Sequence, residues 1–289
     1  MSASSRPGGG AAGRGPENAL PSEDLPTRVG AAAAIPHVLR ELGVDPAEVC
    51  QAAGVDIEVL ANPDAMLPIG DVTRLVSASI RACRRPDLGL LVAAHAGAGL
   101  VGVLGDLIAT ANDLRAALHD LVRYFHINAR TGVAMLSVDG GVAQIQLAVT
   151  ASYGGVADAI EDTSVGVLFH LMKAFLGAEW RPSEVLLSHT PASGGGAYRR
   201  FFGAPVRFNA LGTAIVFPAD DLERPSIVRE RERRRLEAAA TAASSRLAIG
   251  LDEQVRWTIR AHLGERNLTI DPIAHDLGAS PRTLNRRLA

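Results

Sequence analysis

The stretch V-A-M-L-S-V-D-G-G-V-A-Q-I-Q-L-A-V (Val133–Val149) decides the fold class. Two β-prone runs, Val133–Val138 and Val142–Val149, flank Asp139-Gly140-Gly141. Asp-Gly between such runs is the strongest short-range hairpin signal, because both residues tolerate the backbone of a tight turn. Ahead of the hairpin the periodicity is helical. Val38, Leu39 and Leu42 share a face that ends at Gly43. Asp45-Pro46 then restarts a helix that stops at Gly54, with Asp as the cap and Pro at the first helical position, where its missing N–H is harmless. Asp71 to Cys83 carries Val72, Leu75, Val76 and Ile80 on one face. A further helix begins at Asn112-Asp113 and carries Leu114, Ala117, Leu118, Leu121 and Val122. Behind the hairpin, Ala157–Leu176 reads as a long helix stopped by Gly177. Glu184–His189 and Thr213–Phe217 read as strands, with a short helix at Tyr198–Phe202 between them. The expected fold is an α+β N-terminal domain, helices first and then a small mixed sheet.

Composition sets the ends of that domain. Residues 1–28 are rich in Ser, Gly, Ala and Pro and read as a disordered tail, with no apolar core of a secretory signal. The folded domain is expected over 29–218 and a linker helix over 219–250. Asp220–Leu247 has few large apolar residues and contains the run Arg229-Glu230-Arg231-Glu232-Arg233-Arg234-Arg235. Such a run reads as a solvated face. A dimer-forming helix is the alternative, although clean heptads are missing.

Residues 251–289 form a second, all-α unit. Leu251, Val255, Ile259 and Leu263 make a helical stripe closed by Gly264. Thr269 caps the next helix, with Pro272 in its first turn, Ile273, Ala274 and Leu277 facing inward, and Gly278 at its end. Ser280-Pro281 starts a third helix in which Leu284 and Leu288 are the expected buried pair. Arg282, Thr283, Asn285, Arg286 and Arg287 are left outside or on its flank. A helix–Gly turn–helix can place its second helix in the major groove. Arg there grips guanine, and Asn grips adenine, with two hydrogen bonds each. From Ala279 to Ala289 there are three arginines and no acid, which supplies local positive charge for phosphates. On pattern alone, a surface helix with ordinary arginines stands as an equal alternative.

The string L-T-I-D-P-I-A-H-D-L-G-A-S-P-R-T-L-N-R-R-L (Leu268–Leu288) resembles the first helix-turn-helix of AraC/XylS-type regulators. Ala274, Leu277, Gly278, Ser280, Leu284, Arg286 and Leu288 occupy the matching places. Upstream, G-V-D-P-A-E-V-C-Q-A-A-G-V-D (Gly43–Asp56) resembles the sensing domain of the subgroup with an arabinose-binding-type N-terminal domain. So do P-D-L-G-L (Pro86–Leu90), W-R-P-S-E-V-L-L-S-H (Trp180–His189) and F-F-G-A-P-V-R-F (Phe201–Phe208). The resemblance implies a regulator whose N-terminal domain binds a small-molecule effector and adjusts sequence-specific binding to double-stranded DNA, often as a homodimer. Arg282, Asn285 and Arg286 would be the base-facing residues. Family members carry two helix-turn-helix units, whereas the sequence ends within the first recognition helix. The expectation is therefore an incomplete, truncated DNA-binding domain over 251–289 with weakened affinity. A sensing or dimerisation fragment without independent DNA binding is the alternative.

Other classes fare worse. The net charge of −2 and pI near 6.5 argue against a globally basic nucleic-acid binder, so a DNA-facing surface has to be local. Cys50 and Cys83 have no C-x-x-C spacing and point to a reducing compartment. No run approaches ~20 apolar residues, so a membrane partner is not expected and the bacterial cytoplasm is. Gly97-Ala98-Gly99-Leu100-Val101-Gly102 matches G-x-G-x-x-G, but a helical pattern precedes it and the expected acid falls near Asp120, inside a helix. It reads as a helix–helix turn, and Gly194-Gly195-Gly196 as a loop. The eight histidines show neither H-E-x-x-H nor paired metal spacing, and G-x-S-x-G is missing, so no enzyme, cofactor or metal is expected. Tyr124, His126, Tyr153, His170 and Lys173 are the candidate polar groups of an effector cavity, each also compatible with a structural role; Trp180 reads as core.

Overall fold

A computed structural model describes residues 23–129, 132–149, 153–191, 194–225, 236–237, 239–243, 251, 255–256, 258–259, 269–277 and 279–288. The described residues open with a two-stranded ribbon. Strand β1 (Pro26–Arg28) pairs antiparallel with β2 (Met66–Pro68). Backbone bonds from Val29 N to Ala65 O at 2.8 Å and from Ile69 N to Leu25 O at 2.9 Å extend the pairing. Residues 23–28 are thus structured, against the expected tail, because another segment satisfies their peptide groups. Residues 1–22 lie outside the described residues.

The helical half follows the capping chemistry. After α1 (Ile35–Glu41), the Asp45 carboxylate accepts from Ala47 N at 2.9 Å and opens α2 (Pro46–Ala53), which ends at left-handed Gly54. Next come α3 (Ile69–Cys83), α4 (Leu88–His95), α5 (Val103–Ala109) and α6 (Leu114–Asn128). Asp113 caps the last of these by accepting from Ala116 N at 2.8 Å. Gly97 and Gly102 of the G-x-G-x-x-G string flank a short 3₁₀ turn, Ala98–Val101, between α4 and α5, so that segment is a helix–helix connection.

The hairpin is β3 (Gly132–Asp139) and β4 (Val142–Val149). Asp139 pairs with Val142, so Asp139 is a strand residue and Gly140-Gly141 alone make the turn, with φ of +55° and +83°. Two consecutive left-handed residues match the twist of the strands. The chain continues with α7 (Ala157–Leu176), β5 (Glu184–Leu186), α8 (Gly196–Phe202), β6 (Val206–Arg207) and β7 (Thr213–Pro218). The five-stranded sheet has the order β3-β4-β7-β5-β6, antiparallel except for β5 with β6. Strand β5 stops short of the expected His189. Beyond Leu186 the chain turns toward α7, where the Ser188 hydroxyl donates to Glu161 Oε1 at 2.8 Å.

Two apolar cores result. One lies between the sheet and α5 to α8, with Phe169, Phe202, Ile145, Ile215 and Phe217 almost fully buried. The other joins α1 to α4 with Tyr153, Val156 and Ala159 near the start of α7. Helices α4 and α7 meet backbone to backbone between them: a Cβ on Gly89 would sit 2.3 Å from Ala159 O. After β7, Ala219–Glu223 forms a tight 3₁₀ turn rather than the start of a linker helix. Buried Leu222 and the bond from Leu114 N to Arg224 O at 3.1 Å tie it to the first core. Residues 226–235, including the Arg/Glu run, lie outside the described residues. Leu236, Ala240 and Ala243 pack against the same core.

The C-terminal pair is α9 (Ile270–Asp276) and α10 (Pro281–Leu288). Ile273, Ala274 and Leu284 are buried, and Leu251, Val255, Ile259, Ile270 and Leu277 pack around them. Leu288, expected as the second buried leucine, is 45 % exposed, so Leu284 alone anchors α10 among the described residues. Leu263, Gly264 and Gly278 lie outside the described residues. Among the described residues no helix is long and apolar enough to cross a membrane.

Candidate functional site

Two adjoining cavities, of about 150 and 140 Å³, open along the boundary of the two cores. They share Arg28, Ala31, Ala129, Thr163 and Ser164. The first is walled by apolar side chains from both halves, among them Leu100, Leu104, Leu121, Phe125, Val167 and Leu171. The second adds Ile35, Val72, Val76, Leu88, Val92 and Tyr153. An apolar cavity of this volume holds a molecule about the size of benzene.

Polar groups are few and placed at the shared edge. The Arg28 side chain is 8 % exposed. Its guanidinium donates to Asn128 Oδ1 at 2.5 Å, to Leu100 O at 3.3 Å and to Asp64 Oδ1 at 2.6 Å. Asn128 in turn donates to Val101 O at 3.2 Å. The guanidinium lies so close to the chain that a Cβ on Gly102 would sit 2.6 Å from it; the positive φ of +61° there equally demands glycine. Asp64, its counter-ion, is 76 % exposed, so water screens the pair and the buried cation retains positive potential at the cavity edge. Thr163 and Ser164 donate their hydroxyl protons to Ala159 O and Ile160 O, each at 2.8 Å. Their oxygen lone pairs remain as acceptors. The shared edge thus offers one fixed cation and two hydroxyl acceptors in an apolar wall.

Beside this edge sits a buried charge network. Asp162, 1 % exposed, accepts from His189 Nε2 at 2.9 Å and from the Tyr198 hydroxyl at 2.7 Å. Burial disfavours the imidazolium, but the bond to Asp162, its charge and that of Asp158 outweigh this and lift His189 to about 9. Burial, with the Asp162 charge, pushes the Tyr198 hydroxyl well above the usual phenol range. At neutral pH both groups therefore donate to the carboxylate, fastening α7 to α8 and to the segment after β5. The next residue, Thr163, lines both cavities.

The sequence-expected effector residues fall in different places. Tyr153 lines the second cavity. His170 and Lys173 come together on one aromatic cluster: the His170 ring lies 5.5 Å from Phe169 and 5.2 Å from Phe201, and Lys173 Nζ is 5.5 Å from the Phe169 ring. Burial, then the Lys173 charge, lowers the His170 pKa. Tyr124 and His126 are buried on α6 but do not line either cavity; Tyr124 OH is 3.3 Å from Thr241 Oγ1. They straddle Phe125, which does line one, since neighbouring helical residues point to different sides. Arg28, Asn128, Thr163 and Ser164 escaped the sequence reading. The short strand Pro26–Arg28 hides within a tail-like composition, and the hydroxyls are indistinguishable from ordinary helix residues.

On α10, Ser280 Oγ accepts from Thr283 N at 3.2 Å and caps the helix. Arg282, Asn285 and Arg286 are exposed and Thr283 is half-buried, while Leu284 faces inward. The backbone of Arg287 belongs to the same helix. The described residues thus comprise a sheet-and-helix domain with a small internal cavity and a C-terminal helix pair whose outer face exposes Arg282, Asn285 and Arg286.

Comparison with known proteins gives the family. Residues 43–226 match the family model described as the arabinose-binding domain of AraC transcription regulator, N-terminal. The ornithine utilization regulator of Pseudomonas aeruginosa is 23 % identical over 261 residues, covering 89 % of this chain and 77 % of that protein. The HTH-type transcriptional regulator VirS of Mycobacterium tuberculosis is 23 % identical over 256 residues, covering 87 % and 75 %. The crystal structure of the transcriptional regulator CdpR from Pseudomonas aeruginosa superposes with a TM-score of 0.56 at 16 % identity, over 94 % of this chain and 80 % of that one. The chain belongs to the AraC family of transcription regulators, in the group with an arabinose-binding-type N-terminal domain. These relatives are regulators, not enzymes.

Proposed function

We propose that this chain is an effector-responsive, sequence-specific DNA-binding regulator of transcription that works in the bacterial cytoplasm, with a homodimer as its working form. The sensor extends from the ribbon at β1, ahead of the expected start at 29, through Pro225, and 251–289 form the reader. Arg282, Asn285 and Arg286 read bases from the exposed face of α10, with Thr283 and Arg287 at the phosphates. The observation that carries the reading is the shared cavity edge at Arg28, where elements of both cores meet. An occupant there touches β1, α6 and α7 at once and so has differential contacts with which to shift their arrangement. The chemistry favours a small, largely apolar effector with a carboxylate or other acceptor for Arg28.

The test is an electrophoretic mobility shift with the full chain on promoter fragments at low salt. The expected result is retardation that falls steeply with salt and is weakened about 5- to 150-fold by Arg286→Ala, the cost of one bidentate base contact. Equal retardation by the variant would remove α10 from the role of reader. A second reading, a sensing or dimerisation fragment without DNA binding of its own, is favoured by one feature: three buried side chains form the reader's core among the described residues. No retardation at any salt, together with interference with an intact relative, would select it.

A further inference from the structure

The fold gathers two histidines and a carboxylate that look unrelated in the sequence. His37 and Glu41 are one turn apart on α1, so i,i+4 spacing sets them on one face. His95, the last residue of α4, closes against them. His37 Nε2 lies 3.3 Å from Glu41 Oε1, and His95 Nε2 lies 3.0 Å from Glu41 Oε2. The three donor atoms are all within 4.8 Å of one another, and all three residues are exposed.

The second nitrogen of His95 fixes its tautomer. Nδ1 is 2.9 Å from the carbonyl oxygen of Leu91, which can only accept. Nδ1 therefore donates to that carbonyl, which leaves Nε2 as the nitrogen that faces Glu41. A histidine that donates its other N–H to a backbone carbonyl is the usual outer-shell arrangement of a metal ligand. Zinc bonds of about 2.0–2.2 Å at tetrahedral angles separate ligand atoms by roughly 3.3–3.5 Å, close to both contacts with Glu41. Two imidazoles and one carboxylate suit zinc, nickel or copper rather than magnesium or calcium.

We propose that His37, Glu41 and His95 form a surface site for a divalent transition-metal ion of the zinc class, with its remaining coordination positions open to water. The ion would pin α1 to α4, the helix whose Gly89 rests on α7. The site is separate from the cavities, and it stands or falls independently of the DNA-binding reading.

The experiment uses the untagged full chain, stripped with chelator and titrated with Zn²⁺ by calorimetry and with Co²⁺ by visible absorption. Uptake of one ion per chain is expected, with tetrahedral or five-coordinate Co²⁺ bands and a higher unfolding midpoint in Zn²⁺ but not in Mg²⁺. His95→Ala and Glu41→Gln should each weaken binding about 100-fold or more and abolish the midpoint shift. The side chains are exposed, so both variants should keep the wild-type circular dichroism, and His37→Gln provides a third. Absence of stoichiometric uptake, or affinity unchanged in all three variants, would overturn the assignment.

Discussion

The proposed sensor and the proposed reader hold themselves together on different scales. In the sensor, Phe169 is 1 % exposed and is ringed by Trp180, Phe201 and Phe202 at 5.2–6.2 Å, with the sheet beneath it. In the reader, Ile273, Ala274 and Leu284 are the buried core among the described residues. Hydrophobic stabilisation scales with apolar area removed from water, so among the described residues the first core is much the more strongly stabilised.

Phe169→Ala should break this asymmetry most severely. Emptying the centre of the aromatic cluster should cost about 3–5 kcal/mol and lower the main thermal transition strongly, measured by calorimetry. Asp162→Asn comes next. Its wild-type partner His189 is raised to about 9, so the stabilisation is complete below the ordinary value near 6.5 and is lost as pH rises through about 9. Denaturant titrations between pH 6 and 10 should show wild-type stability declining with pH. The variant should be less stable at pH 6 by about 1.5–3 kcal/mol and flatter across the window. A parallel decline in both proteins would free His189 from this role. Leu284→Ala has the smallest expected effect on the main transition, within about 0.5 kcal/mol, because its contacts belong to the reader. It should nevertheless abolish DNA retardation, separating reader from sensor.

What was legible in the sequence was local. The hairpin, though with Asp139 in its strand and not its turn, the Asp45 and Asp113 caps and the stop at Gly177 each follow from residues within a few positions, and helix α7 runs over the expected Ala157–Leu176. The site was not local. Arg28 meets Asp64 and Asn128 across 36 and 100 residues, and His95 reaches back to α1. Periodicity carries no signal for such pairings. It also misjudged Leu288, since i,i+4 spacing places a residue on a face without saying whether anything covers that face.

Native-state hydrogen exchange of the full chain, read by mass spectrometry in increasing denaturant, tests the unequal pair most directly. Amides of α7 and β4 should exchange only through global unfolding, with a denaturant dependence equal to that of the main transition. Amides of α9 and α10 should exchange through a smaller opening of much lower free energy and weak denaturant dependence, and should gain protection on DNA. Equal protection and equal denaturant dependence in both regions would contradict the division into a self-supporting sensor and a marginal reader.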